Sequence, residues 1–473
     1  MLIDLVNDKP KEECGVFGIY STKDDVAYNT YLGLFALQHR GQESAGIVLS
    51  DGRSVEIKRG MGLVTEVFRD GMPHIDNACM AIGHVRYSTT GANLPINVQP
   101  LKVRFAGGNL SLSHNGNLTN AKSLRERLAA EGAVFQTSVD TEIIITLIAR
   151  SRANTIEEKI AEAMRELSGA FSVLVMTDDK LFAVRDSFGY RPLCIGKMED
   201  GAYVVSSESC AFEAVGAEFV RDVLPGEVIV IDNDTKEFTS YFFKQAPKKL
   251  AHCVFEYIYF ARVDSVIDQQ GVYDSRVAMG RQLARENKHI EADVVISVPD
   301  SGTPAAIGYS LESGIPFMEG LIKNRYIGRT FIQPNQKQRL NSVKMKLSVV
   351  KSLVKGKRVI MVDDSIVRGT TSGKIVKLLK DAGATEVHMC VSSPPVTDPC
   401  YYGIDTSVRK ELIATTHTVD QIRDYIGADS LCYISMDGLR GCFTGICPSN
   451  MCYACFNGEY PEMSDCNDKE VFE

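Results

Sequence analysis

Residues 359–372 read VIMVDDSIVRGTTS: a short apolar run that closes on two adjacent acids and passes at once into a Gly-Thr-Thr-Ser turn. GKIVKLLKDAGA then continues with helical period, and EVHMCVS at 386–392 supplies another β-rich run. A strand that passes through a glycine-bearing turn into a helix and returns as a strand makes a crossover, so its two strands lie parallel. ADVVISVPDSGTPAA, residues 292–306, repeats the arrangement. Parallel α/β sheets bind ligands beyond the carboxyl ends of their strands, where both loops fall.

The residue types at these loops suit a sugar phosphate. The N–H groups of Gly369, Thr370, Thr371 and Ser372 open a helix, and with three hydroxyls beside them they suit an anion such as a phosphate monoester. Asp363 and Asp364 would repel that phosphate, but they can accept hydrogen bonds from vicinal ribose hydroxyls or hold Mg²⁺. An acid and a hydroxyl also occur at helix starts for capping alone; a double acid joined to RGTTS offers more than a cap uses. Between Glu319 and Asp363 lie eleven Lys or Arg residues and no acid. Such a run is either a solvated basic face or a landing site for a highly charged anion, and its nearness to the turn at Gly369 favours the second.

This stretch resembles the phosphoribosyl-pyrophosphate signature of type I phosphoribosyltransferases, and SVPDSGTP at 297–304 resembles their pyrophosphate loop. The resemblance implies Mg²⁺ near Ser301, Asp363 and Asp364, and a lid over the pyrophosphate in the run from Lys323 to Lys346.

The first half is built differently. FSVLVMT, LFAVRD, YVVSSE and EVIVID alternate with helical stretches at 119–131, 140–152 and 155–168. The polar segment FKQAPKKLA, 243–251, has no apolar period and reads as a linker. We expect domains at 14–243 and 252–473, with no internal repeat.

Cys14 follows an acidic leader, MLIDLVNDKPKEE, which lacks the basic start and apolar run of a signal peptide. If residues 1–13 are removed, Cys14 carries both a thiol and an α-amine. Their ordinary pKa values, about 8.5 and about 7.7–8.0, let a proton pass between them near neutrality. Taken alone, Cys14 could equally be a buried structural cysteine. LQHRGQESAGI (37–47), GHVRYSTTG (83–91), SHNGNL (113–118) and SVDTE (138–142) resemble, in order and spacing, the glutaminase domain of class II amidotransferases. The resemblance implies an αββα sandwich of the N-terminal-nucleophile type. It assigns Cys14 as nucleophile, Arg86 to the glutamine carboxylate and Asp140 to its ammonium, with Asn115 and Gly116 as the oxyanion hole.

Taken together, the halves are similar to the amidophosphoribosyltransferase family, in its processed, iron–sulfur-containing branch. That likeness implies a propeptide at 1–13, a homo-oligomer, expected to be a tetramer, and inhibition by purine nucleotides.

Thirteen cysteines without a secretory signal argue for reduced thiols, catalysis or metal. MCYAC gives Cys452 and Cys455 one C-x2-C metal edge, and spacing alone does not choose the other ligands. The family resemblance completes the set with Cys253 and Cys400 around a [4Fe-4S] cluster; zinc is the alternative for four thiolates. Cys442, Cys447 and Cys466 are further thiols nearby in sequence.

A net charge of −8 disfavours a general nucleic-acid binder, and no apolar run has the length of a membrane span. The composition is that of a soluble, cytoplasmic protein. Two readings compete: a glutaminase serving another acceptor, and a phosphoribosyl-type ligand sensor in a regulator. The ribose-phosphate loop opposes the first, and the lack of a DNA-binding helix-turn-helix opposes the second.

Overall fold

The β-rich runs of the first half form two facing antiparallel sheets. In the computed structural model, which describes residues 14–23, 25–87, 93–232, 238–324, 347–404, 406 and 409–462, one sheet has seven strands. Edge to edge they are Ala217–Asp222, Cys194–Met198, Tyr203–Ser206, Gly15–Tyr20, Met80–Arg86, Ser44–Ser50 and Val55–Met61. The other has six: Phe238–Phe242, Glu227–Asp232, Lys180–Arg185, Gly169–Met176, Gly108–Leu118 and Leu101–Phe105. Val16, Val48, Ile82, Leu174, Leu181 and Ile229 pack between them. Helix Val26–Ala36 covers the outer face of the first sheet, and helices Thr141–Arg150 and Ile156–Glu166 cover that of the second. Central strands are therefore covered on both faces, and Gly15–Tyr20 and Ser44–Ser50 are buried at every position. Their sequences read as continuous apolar runs for the same reason. The expected helices appear at Ala121–Ala130, Thr141–Arg150 and Ile156–Glu166.

The second half carries a four-stranded parallel sheet in the order Val294–Ser297, Arg358–Asp363, Glu386–Val391, Ser430–Tyr433. The expected parallel α/β unit is thus present, and its two motif-bearing strands are neighbours, with Ser297 opposite Val362. Helix Val272–Glu286 crosses helix Thr303–Ser313 at backbone distance. A Cβ on Gly280 would lie 1.8 Å from the Ala305 carbonyl oxygen, and one on Gly308 2.1 Å from that of Val277.

Residues 243–251 contain neither helix nor strand, yet the halves grip each other closely. A hairpin, Val266–Ile267 with Gln270–Gly271, turns through Asp268 and Gln269 at φ 47° and 65°. Its Asp268 accepts two hydrogen bonds from Arg185 Nη1 and Nη2, both at 2.7 Å, inside the first half. The carboxyl-terminal segment also returns to the first half. Asn117 Nδ2 donates to the Tyr401 carbonyl at 2.9 Å, and the Gly169 N–H to Glu462 at 2.9 Å.

Residues 1–13, most of the basic run (325–346) and Cys466 lie outside the described residues. The run's flanks are described: Leu321–Lys323 pairs antiparallel with Leu347–Val349, so the excursion leaves and returns at one place. Among the described residues no helix is long and apolar enough to cross a membrane.

Candidate active site

Cys14 precedes the central strand Gly15–Tyr20 and is 5% exposed. Its Sγ donates to the Tyr87 carbonyl at 3.3 Å. Burial pushes the thiol up to about 11, and the Tyr87 contact and the charge of Arg86 offset this only in part. In this setting the sulfur is a thiol at neutral pH and needs a base to become a nucleophile.

Arg86 ends the neighbouring strand, where Val85 pairs with Gly15. Burial lowers its pKa from the ordinary value, while the fields of Cys14, Glu43 and Asp140 act to raise it. Asp140 sits at the start of helix Thr141–Arg150 and accepts the Leu118 N–H at 3.0 Å. Burial alone would raise its carboxyl, but His114, 3.4 Å away, and the Leu118 and Thr141 N–H groups hold it below the usual range. A cation and an anion thus stand in one buried site with the thiol, as an amino acid's carboxylate and ammonium require.

Asn115 and Gly116 lie on strand Gly108–Leu118. Asn115 is buried, and neither Nδ2 nor Oδ1 has a hydrogen-bond partner among the described residues. An unsatisfied buried amide costs about 1–3 kcal/mol, so its persistence calls for a ligand. Gly116 has φ 147°, and a Cβ there would lie 2.0 Å from the Ala170 carbonyl oxygen, which restricts the position to glycine. His84, fully buried, donates from Nε2 to the His114 carbonyl at 3.0 Å and ties the two sheets together beside this site. Burial drives its pKa down to about 3, so it is neutral.

In the second half, loops 298–302 and 364–369 leave adjacent strands on the same edge. Ser301 Oγ donates to Asp364, and Ser365 Oγ donates to the other oxygen of that carboxylate at 2.7 Å. Asp363 accepts the Asp364 N–H at 2.9 Å, and both acids are buried. Gly369, at φ 75°, opens helix Thr370–Asp381, placing the N–H groups of 370–372 in its first turn. The phosphate candidates and the acid pair are thus brought to one loop, with Ser301 arriving from the other.

Cys253 and Cys452 are opposite residues of a short parallel pair, His252–Cys253 with Met451–Cys452. Together with Cys400 and Cys455 they line one small cavity, beside Tyr190, Arg191 and Tyr402. Burial lifts the Cys452 thiol to about 12 and Cys455 well above its ordinary value, with the neighbouring thiols adding to the effect. Such thiols ionise when a cation takes up their charge. Among the described residues no three His, Cys, Asp or Glu side chains converge tightly enough for one metal ion. Four thiols around one cavity are a donor set that suits a [4Fe-4S] cluster or zinc. Cys442 instead donates to the Gly438 carbonyl at 3.2 Å, and exposed Cys447 lies 3.1 Å from Ser449 Oγ; neither lines the cavity.

Sequence reasoning gave no role to Arg40, Glu256 or Arg276, all buried. Arg40 stood inside the quoted LQHRG motif, but no spacing rule marks it or its partners.

A glutamine amidotransferase domain model matches residues 84–214, and a phosphoribosyl transferase domain model matches 274–408. The chain is 51% identical over 454 residues to the amidophosphoribosyltransferase of Bacillus subtilis, covering 95% of this chain and 94% of that one. A solved structure of glutamine phosphoribosylpyrophosphate amidotransferase from B. subtilis, complexed with ADP and GMP, aligns with TM-score 0.90 at 48% identity. That alignment covers 97% of this chain and all of the other. A second structure, of the allosteric regulatory enzyme of purine biosynthesis, matches equally, with TM-score 0.90, 48% identity, and coverage of 97% and 99%.

Proposed function

The chain belongs to the amidophosphoribosyltransferase family, which catalyses the first step of purine biosynthesis, and on that premise we propose how its residues divide the work. Residues 1–13 are a propeptide, 14–243 the glutaminase and 252–473 the phosphoribosyltransferase. The observation that carries the first assignment is the buried Cys14 thiol sharing a site with Arg86, Asp140 and the partnerless amide of Asn115.

Cleavage before Cys14 frees its α-amine, which takes the thiol proton. The thiolate attacks the glutamine side-chain carbonyl while Arg86 holds the substrate carboxylate and Asp140 its ammonium. The oxyanion that develops accepts hydrogen bonds from Asn115 Nδ2 and the Gly116 N–H. Collapse expels ammonia, with the proton returned by the amine, and leaves a thioester that water hydrolyses to glutamate. In the second half, N–H groups and hydroxyls of 369–372 bind the 5-phosphate, and Asp363 and Asp364 orient the ribose. Ammonia attacks C1, pyrophosphate departs with the C1–O bonding pair, and the nitrogen loses a proton to give 5-phosphoribosylamine. Mg²⁺ held by Asp363, Asp364 and Ser301 would neutralise charge on the leaving pyrophosphate.

Intact mass of active enzyme is expected to correspond to a chain that starts at Cys14; activity in protein retaining residues 1–13 would refute the propeptide. With the leader attached, the thiolate fraction at pH 8 is roughly a thousandth, because the thiol titrates at about 11. Alkylation of Cys14 in the uncleaved protein should therefore rise about tenfold per pH unit from 8 to 10. A flat profile would mean that the thiol is already ionised.

Cys253, Cys400, Cys452 and Cys455 hold a [4Fe-4S] cluster, which ties the carboxyl-terminal segment to the domain junction. Anaerobically purified protein should contain about four irons and four acid-labile sulfides per chain. Stoichiometric zinc in colourless protein would overturn this choice. The B. subtilis enzyme was solved with ADP and GMP, and by analogy purine nucleotides bind this enzyme; that they inhibit it, that the assembly is a homotetramer and that it is cytoplasmic rest on the family resemblance alone.

A further inference from the structure

Arg40 belongs to neither set of substrate-binding residues, yet it holds the nucleophile's own backbone. It is 1% exposed, and its Nε donates to the Cys14 carbonyl at 3.0 Å. Nη1 donates to Glu208 of the first half, and Nη1 and Nη2 donate to the two oxygens of Glu256 of the second half, at 2.9 and 2.8 Å. One guanidinium thus joins the residue that attacks to an acid from each side of the junction.

Glu256 sits in a π-helical turn, Glu256–Phe260, a rare local geometry found frequently at functional sites. Arg276 clamps that turn: its Nε donates to the Tyr257 carbonyl and its Nη2 to that of Ala261, each at 2.8 Å. Arg276 belongs to helix Val272–Glu286, which crosses at backbone distance the helix that follows the Ser301 loop. The Asp364 carboxylate also acts on Arg276, raising its pKa against the lowering by burial. Hydrogen bonds therefore run from Arg276 through the turn to Glu256, Arg40 and the Cys14 carbonyl, and the helix that carries Arg276 packs on the one that follows the Ser301 loop.

We propose that Arg40 is a positioning residue for the Cys14 nucleophile, and that Glu256 makes its hold on Cys14 depend on the state of the phosphoribosyl site. The inference rests on Cys14 being the glutaminase nucleophile. A shift of the π-helical turn changes how Arg40 is shared between Glu208 and Glu256, and so moves the carbonyl to which Arg40 is bonded. Misplacement of an attacking atom by about 1 Å costs on the order of 100-fold in rate.

The test uses the full-length processed enzyme with Glu256→Gln, which keeps size and one acceptor oxygen, and with Arg40→Lys, which keeps the charge but lacks the Nε–H. Glutamate release is measured across glutamine concentrations, with and without phosphoribosyl pyrophosphate and Mg²⁺, alongside synthesis from ammonium salt. Both variants should lose about 10- to 100-fold in glutaminase kcat in the presence of phosphoribosyl pyrophosphate, with KM for glutamine changed by less than about threefold. Wild-type glutaminase activity should rise on adding phosphoribosyl pyrophosphate and Mg²⁺; in Glu256→Gln that rise should vanish, while ammonium-dependent synthesis stays near wild type. Wild-type kcat and stimulation in Glu256→Gln would overturn the proposal. A change confined to KM, or a parallel fall of ammonium-dependent synthesis in both variants, would also overturn it by reducing the pair to binding or folding. Wild-type enzyme that releases no glutamate would instead refute the glutaminase reading on which the proposal stands.

Discussion

Cys14→Ala should reduce glutamine-dependent synthesis by about 10⁴-fold or more while leaving synthesis from ammonium salts near wild type. On the proposed assignment the nucleophile is removed outright, and no other described cysteine stands with Arg86 and Asp140. The cavity left is small, because Ala removes only a buried Sγ whose hydrogen bond reaches Tyr87. Arg40 still reaches the backbone carbonyl of residue 14, so the junction keeps its contacts. The phosphoribosyl loops lie on another sheet and should turn over added ammonia. Parallel assays of pyrophosphate release with glutamine and with ammonium at alkaline pH decide the matter, and loss of both activities in a folded variant would contradict separate sites.

Asp363→Asn combined with Asp364→Asn should remove transfer with either nitrogen source. Two buried carboxylates become neutral amides, and each charge-assisted hydrogen bond lost costs about 1.5–3 kcal/mol, together on the order of 10²- to 10⁴-fold. Ser301 and Ser365 donate to different oxygens of Asp364, so one of them keeps its acceptor in the amide and the other hydroxyl can turn to accept from the new N–H, and the loops should hold their fold. Stimulation of glutamate release by phosphoribosyl pyrophosphate should disappear as well, since that substrate no longer binds. Ammonium-dependent synthesis within about tenfold of wild type would show that the acids do not hold the ribose.

The phosphoribosyl half was legible because its chemistry is local. Asp363, Asp364 and Gly369–Ser372 sit within ten consecutive residues, and strand, turn and helix have distinct periods that a reader can separate. The residues proposed for the glutaminase are scattered, and only the order of four short motifs united them. For the thiols, C-x2-C gave one edge, while Cys253 and Cys400 needed the family resemblance; the cavity that gathers them depends on a parallel pairing of residues some 200 positions apart, which no local rule foresees. Arg40 was invisible for the same reason. Its bonds to Glu256 span 216 positions, and Glu256 sits in a π-helical turn that has no sequence period of its own. Burial of a charged side chain is decided by tertiary partners, so neither composition nor hydropathy marks it.

The parallel pair of His252–Cys253 with Met451–Cys452 sets an order in time during synthesis. Cys253 leaves the ribosome about 200 residues before Cys455, a wait on the order of 10–40 s at about 5–20 residues per second. Throughout that interval the two sheets of the first half have all their strands and can fold, whereas the four-thiol cavity lacks two of its walls. A nascent chain halted before Cys452 should therefore hold a native-like amino-terminal half and an open, oxidisable Cys253. The cavity can close only after Cys455 has been made, so its assembly follows that of the amino-terminal sheets.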